Sequence, residues 1–180
     1  MKYAFTLLAL LCALTCYAQN YEYKGIRNFP VNERTGKVTY EGVVPAEGMS
    51  AHQLYSAAKE WIARNSDARY AIETEVPGEK IIGKGSVAQS NFNGHTHSYD
   101  FILSFKDGRY KYELTNFVLQ YDYGTPATRG SFALEDYPKQ NLSGRRAQKL
   151  DTIYQGLDQD FKSVAAVFEA FALDVAGDDW

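Results

Sequence analysis

Apolar and polar residues alternate in five segments of the chain and recur at helical spacing in two others. From Lys37 to Val44, the residues Val38, Tyr40, Gly42 and Val44 fall on one face, with Lys37, Thr39 and Glu41 on the other, the period of a half-buried strand. Pro45 to Met49 reads as a loop. Ser50, with Gln53 three positions later, has the form of a capping box opening a helix from about Ala51 to Asn65. Leu54, Ala58, Trp61 and Ile62 make that helix's apolar stripe, which assigns Trp61 to the core. Tyr70–Val76 and Lys80–Gln89 alternate on either side of Pro77-Gly78 and form a predicted hairpin. A two-residue turn there sets Glu75 against Lys80, Ile72 against Gly83 and Tyr70 against Gly85, so that large side chains lie over glycines.

Asp107-Gly108 between two alternating runs is a strong turn signal. It pairs Phe105 with Tyr110, Leu103 with Tyr112 and Phe101 with Leu114, and on the other face Ser104 with Lys111 and Asp100 with Thr115. Between the hairpins, a two-residue turn at Asn93-Gly94 would set Val87 against Asp100 and turn one apolar face outward. An odd loop centred on Gly94 keeps a common face, with Val87 opposite Phe101 and Gly85 opposite Leu103. Apolar positions switch parity around Asn116, which predicts a bulge. Asp122 to Leu142 contains Gly124, Pro126, Gly130 and Pro138 among the aromatics Tyr123, Phe132 and Tyr137; it is either a functional loop or hides a short strand. From Leu150 to Val175 the spacing is helical again, with Ile153, Tyr154, Leu157, Phe161, Val164 and Phe168 on one broad face that closes the core. Gly177 to Trp180 reads as its stop.

The first residues change the picture of where the chain works. Lys2 precedes an apolar run of about 12 residues, Ala4 to Thr15, too short to span a bilayer, and small residues follow at Cys16-Tyr17-Ala18. Residues 1–18 are expected to be a signal peptide cleaved after Ala18, which makes the protein exported, periplasmic or secreted. A lipoprotein anchor at Cys16 fits less well, because Ala13 and Thr15 match the usual lipobox poorly. Both cysteines leave with this segment, so the mature chain has no thiol chemistry. No later apolar stretch is long enough for a transmembrane segment. The formal charge of −3, with no basic run longer than Arg145-Arg146, argues against nucleic acid as a partner. The remaining chain divides into a lead-in arm (19–30), a core (31–121), the long loop (122–142) and a C-terminal helix (143–180) of the same domain.

Candidate chemistry is sparse. Gly78 to Lys84 has the spacing of a phosphate-binding loop, but Gly85 stands where Ser or Thr would hold magnesium and the segment alternates as a strand. No cofactor is expected. His95-Thr96-His97 could offer two imidazoles to a metal, although the loop register puts His95 in the turn and His97 at its edge. Ser86 has no neighbouring base, and Glu73 with Glu75, or Asp158 with Asp160, read as solvated faces. No catalytic residue is assigned. Tyrosine is frequent, 14 residues, and the rings near the long loop (Tyr121, Tyr123, Phe132, Tyr137) are candidate contact residues, since amphipathic rings suit binding surfaces.

The segments Gly36-Lys37-Val38, Leu54-Tyr55 to Trp61, Ile82-Gly83-Lys84-Gly85 and Asp107-Gly108-Arg109-Tyr110-Lys111-Tyr112, in this order of elements, resemble an exported Bacteroidota family described as a domain of unknown function with a TBP-like fold. The resemblance covers Val31 to Tyr121. It implies an α+β fold, a curved antiparallel sheet in the order β-α-β-β-β-β-α with two helices packed on one face, and it brings no site residues. Architecture alone does not transfer DNA binding. The function expected is a non-enzymatic binding module of the bacterial cell envelope, contacting a protein, peptide or glycan through its open sheet face or the tyrosine-bearing loop. That face should carry Lys84, Ser86, Ile102, Ser104, Lys111, Glu113 and Thr115. A hydrolase or metal-dependent enzyme near His95 and His97, and a structural envelope component, are the alternatives.

Overall fold

The computed structural model describes residues 21–65, 69–89, 95–122, 129–136 and 142–176, with only the backbone of 122, 129 and 172–176. The leader, the expected turn around Asn93-Gly94, Tyr123, Tyr137 and the expected helix stop at Gly177 lie outside the described residues.

Strand β1 (Tyr40–Pro45) is followed by helix α1 (Ala51–Arg64), then by a run of strands β2 (Tyr70–Val76), β3 (Lys80–Ala88), β4 (His95–Lys106) and β5 (Arg109–Asp122). A short β6 (Arg129–Ala133) and a 3-10 turn (Leu134–Asp136) precede the long helix α2 (Gly144–Ala176). All pairings are antiparallel, in the order β1-β5-β4-β3-β2, and β6 pairs with β5 beyond the end of β1. Both helices lie on one face, where Leu54, Trp61, Phe161 and Phe168 join Phe101, Leu103 and Leu114 in the core. Ser50 caps α1 with the reciprocal Gln53 box, as its spacing predicts. β1 starts at Tyr40, later than the predicted Lys37, because Val38 is drawn into an isolated bridge with Val31. The final helix begins at Gly144, earlier than its apolar stripe, and β6 is the short strand hidden in 122–142.

Aromatic rings lying over glycines across the sheet organise its inner face. Tyr112 covers Gly42, Phe101 covers Gly83, Tyr99 covers Gly85 and Tyr121 covers Gly130, each pair directly opposite in the ladder. A methyl at any of these glycines would meet the ring inside van der Waals contact. This packing decides the register between β3 and β4. Val87 lies opposite His97 and Gly85 opposite Tyr99, four residues away from the alignment predicted by centring the turn on Gly94. The parity of that alignment survives, so the buried face is the expected one; an even shift leaves inward and outward positions unchanged. The β4–β5 hairpin has the predicted partners throughout, Phe105 with Tyr110, Leu103 with Tyr112 and Phe101 with Leu114.

Two bulges absorb mismatches. Asn116 adopts φ 54°, the left-handed conformation asparagine tolerates better than most residues, where β5 shifts register against β4. In β2, Val76 rather than Glu75 faces Lys80, so the turn at Gly78 is one residue longer than predicted. A bulge at Glu73 then restores Ile72 to Gly83 and Tyr70 to Gly85.

The lead-in arm is docked, not loose. Asp151 on α2, fully buried, accepts hydrogen bonds from the Tyr21 hydroxyl (2.9 Å), the backbone N–H of Lys24 (2.9 Å) and Gly25 (2.9 Å), and the Asn28 amide (2.8 Å). Burial pushes this carboxyl's pKa up, but the four donors outweigh it and the net shift is downward. Phe29 then packs on Tyr154 and Phe161.

Gly83→Ala places a methyl against both the Ala71 carbonyl and the Phe101 ring, and the backbone oxygen cannot move aside as a ring tip could. We expect a loss of about 1–3 kcal/mol in denaturant unfolding. An unchanged midpoint would show that the strand pair can open to admit it.

Candidate functional site

Among the described residues, nothing covers most of the face of the sheet opposite the helices, and the ladder fixes which side chains reach it. Lys80, Ser104, Lys111 and Val43 form one row across the strands. The next row is Thr74, Ile82, Ile102, Glu113 and Glu41, and a third brings together Lys84, Asp100 and Thr115. Ile82 and Ile102 are direct cross-strand partners, both half-buried, and make an apolar spot in the middle row.

Charge clusters flank that spot. On one side Lys111 Nζ stands 2.5 Å from Glu41 and 3.7 Å from Glu113. On the other, Lys84 Nζ stands 2.6 Å from Glu73 and 3.6 Å from Asp100, whose second oxygen accepts from the Asn116 amide at 2.6 Å. Lys37 in turn donates to the Asn116 carbonyl oxygen. The Glu41 contact raises the Lys111 pKa, and the Glu73 contact raises that of Lys84, so both cations hold their charge across physiological pH. Exposed pairs of this kind add little stability; their effect is to fix a pattern of alternating charge. The loop before β1 borders a shallow concavity of about 540 Å³ on this face, lined by Arg34, Lys37, Glu41, Lys111, Glu113 and Asn116.

Six of the seven residues expected on the open face are there, none of them fully buried. Thr115 is the exception, only 8% exposed, with its hydroxyl donating to the Val38 carbonyl (3.4 Å) and touching that of Thr39 (3.5 Å). The chain leading into β1 covers it. Ile82, absent from the expected set, was legible from period two alone, since it shares parity with Lys84 and Ser86. Glu41 and Asp100 follow from the same rule, whereas Glu73 reaches Lys84 only through its bulge.

The other candidates fall elsewhere. His95 and His97 lie on β4 and face inward, not in a turn, because β3 and β4 pair four positions away from the expected register. His97 is fully buried edge-on to Phe161 (5.3 Å), with neither ring nitrogen hydrogen-bonded. His52 stacks on Tyr55 of α1. Among the described residues, no three His, Cys, Asp or Glu side chains converge as metal ligands would. Asp158, expected in solvent, is 7% exposed and accepts from the Tyr40 hydroxyl at 2.8 Å. Tyr121 and Phe132 face each other across β5 and β6, ring centroids 6.2 Å apart, on the helix-bearing side, half-buried. Tyr123 and Tyr137 lie outside the described residues. No helix among the described residues is long and apolar enough to cross a membrane.

Residues 40–120 match a family model described as a domain of unknown function (DUF4468) with TBP-like fold. No curated protein matches the sequence. Among solved structures, a TBP-like protein from Parabacteroides distasonis superposes with TM-score 0.61 at 20% identity, covering 85% of this chain and 99% of that one. A DUF4468 family protein from Bacteroides ovatus aligns with TM-score 0.49 at 20% identity, over 77% of this chain and 90% of the other.

Burial of His97 carries a consequence for acid stability. Desolvation lowers its pKa to about 4 from 6.5, His95 adds to the lowering, and Asp160 opposes it. The unfolded chain therefore takes up a proton near 6.5 that the folded chain accepts only near 4. The contribution of His97 is fully present above that higher value and is lost as pH falls through the window, by about 3 kcal/mol in all. Melting curves from pH 7 to 4 should show this loss, and His97→Leu should flatten it. Equal pH slopes for the two proteins would mean that His97 is protonated as easily in the fold as in water.

Proposed function

Residues 40–120 belong to the DUF4468 family, a domain of unknown function with a TBP-like fold, and from that premise we propose that this chain is an exported, non-enzymatic binding module of the bacterial cell envelope. The open face of its sheet contacts a protein, peptide or glycan. The observation that carries the reading is the Ile82–Ile102 pair set between two charge clusters whose members already hold one another in place. An apolar centre with a polar rim is the anatomy of a protein contact, and charges paired in advance lose little freedom when a partner arrives. Such a face suits a wet, transient association. The leader sequence supports export, since its short apolar run and small-residue end have the form that signal peptidase cleaves.

An enzyme centred on the histidine pair finds less support, because His97 is sealed beneath α2 and cannot touch a substrate. The tyrosine loop is likewise weaker as a contact site, since Tyr121 spends its ring covering Gly130. Deleting 122–142 would remove β6 and is no test of binding.

The test is capture from native envelope extract on the immobilised chain beginning at Gln19, compared with Ile102→Asp and Ile82→Asp. Both changes lie on the solvent face and leave the core intact. We expect either to weaken retention of the partner by at least about tenfold, as loss of a central apolar contact does. Retention unaffected by both would remove the open face as the binding surface.

A further inference from the structure

Where β3 runs past the start of β2, a cavity of about 580 Å³ lies between the sheet and α2. The β2–β3 ladder extends to Tyr70 opposite Gly85, and the Ser86 N–H donates to the Arg69 carbonyl at 3.0 Å. β3 continues to Ala88, so Ser86, Val87 and Ala88 border the cavity on one side. Arg69 and Tyr70 form a second wall, and Tyr70 is held there by its ring packing on Trp61 (5.3 Å) and Phe168 (5.8 Å). The third wall is one side of α2, with Asp160, Ser163, Val164 and Val167. Val167 is 41% exposed, which leaves apolar surface in this wall.

The polar groups are distributed unevenly. Among the described residues, no carboxylate pairs with the Arg69 guanidinium. Its charge instead bears on the phenols of Tyr70 and Tyr99: burial pushes both pKa values up, and Arg69 opposes the rise in each. The Tyr99 hydroxyl is fully buried above Gly85, the residue directly across from Tyr70, and makes no hydrogen bond. A buried hydroxyl left so costs stability. Asp160 stands at the other end. Its charge acts on His97, opposite Val87, whereas Val167 precedes the Phe168 that touches Tyr70. Asp160 and Val167 are about 10 Å apart along the helix.

We propose that this cavity binds the α-carboxylate of an apolar amino acid, either free or at the C-terminus of a peptide. The carboxylate accepts from the Arg69 guanidinium and the Tyr70 hydroxyl, both charge-assisted contacts. With its hydrogen committed to the ligand, Tyr70 offers its oxygen to Tyr99, which gains the acceptor it lacks. The apolar side chain lies along Val164 and Val167, and the amino nitrogen points to Asp160. An α-amino acid carries these three groups on one carbon, so the cation, the apolar strip and the anion of the cavity are all matched. A plain fatty acid would leave Asp160 facing hydrocarbon, and an amine would leave Arg69 and the Tyr99 hydroxyl unanswered. A free amino acid brings an ammonium to Asp160 and a peptide C-terminus an amide N–H, and the two sources differ only there.

Thermal melts of the chain beginning at Gln19, which holds every described residue, test this with L-leucine, glycyl-L-leucine and L-leucinamide, each up to about 20 mM, above the millimolar affinity that a few contacts to a small ligand give. Leucine or glycyl-leucine should raise the melting temperature saturably, by about 3–6 °C at ten times the half-saturating concentration, and leucinamide, which lacks the carboxylate, should not. A stronger response to leucine assigns the site to the free amino acid, and a stronger one to the dipeptide assigns it to a peptide C-terminus. Arg69→Gln and Tyr70→Phe, the second keeping the ring packed in the core, should each weaken binding by at least about tenfold and leave the melting temperature without ligand in place. Tyr99→Phe should melt no lower than the parent without ligand, because its hydroxyl has no partner to lose. No saturable shift from either carboxylate overturns the proposal, as does an equal shift from leucinamide or one that Arg69→Gln and Tyr70→Phe both retain. None of these three residues is tested on the open face, so failure here leaves the function proposed above standing.

Discussion

Two helices can cover only one side of a sheet, and in this chain that limit makes strand parity the constraint on which the rest depends. Every inward position of β3, β4 and β5 must meet α1 or α2, and every outward one must tolerate water. The aromatic rings enforce this. Tyr112, Phe101 and Tyr99 each lie across the ladder onto a glycine, and the ring fills the space that a side chain there would take. The glycines are thus part of the core's volume, and the bulge at Asn116 keeps Leu114 and Phe117 both inside, while the bulge at Glu73 restores Tyr70 to its place opposite Gly85.

The same constraint explains what could be read in advance. The β4–β5 hairpin was legible because Asp107-Gly108 is a local signal whose register agrees with the apolar alternation on both sides. The β3–β4 register was not. Alternation excludes a shift by one residue but is blind to a shift by four, and the turn-forming glycine at 94 was a weaker determinant than the fit of Tyr99 onto Gly85 and Phe101 onto Gly83. That one error misplaced the histidines, because the observed register carries His95 and His97 onto the strand. Thr115 has the outward parity assigned to it, but parity says nothing of Thr39 lying above it.

Asp151 had no sequence signature at all. It sits within an apolar helical stripe, where a carboxylate looks like an interruption, and its donors come from Tyr21, Lys24, Gly25 and Asn28, more than a hundred positions away. A buried charge survives only with such a set of partners. Its consequence is architectural: the arm, which lies outside the part of the chain matching the family model, is tied to a helix that also lies outside it. The family segment supplies most of the sheet and α1, while the flanking segments close the core over it.

The open face and the two sheet edges are what this closure leaves exposed, and they are not equivalent. The β2 edge is bulged at Glu73 and tied to α1 through the Lys59–Glu75 pair at 3.0 Å, features that discourage another strand from adding there. The β1 edge has no bulge; the Pro30–Val31 segment occupies the place beside its first residues, and Pro45, with a ring where an N–H would stand, ends it. Each edge is thus blunted by its own means, one by a bulge and an ion pair, the other by a docked segment and a proline. A strand that ends in proline limits how far any pairing along that edge can run, which leaves the open face as the broadest of the exposed surfaces.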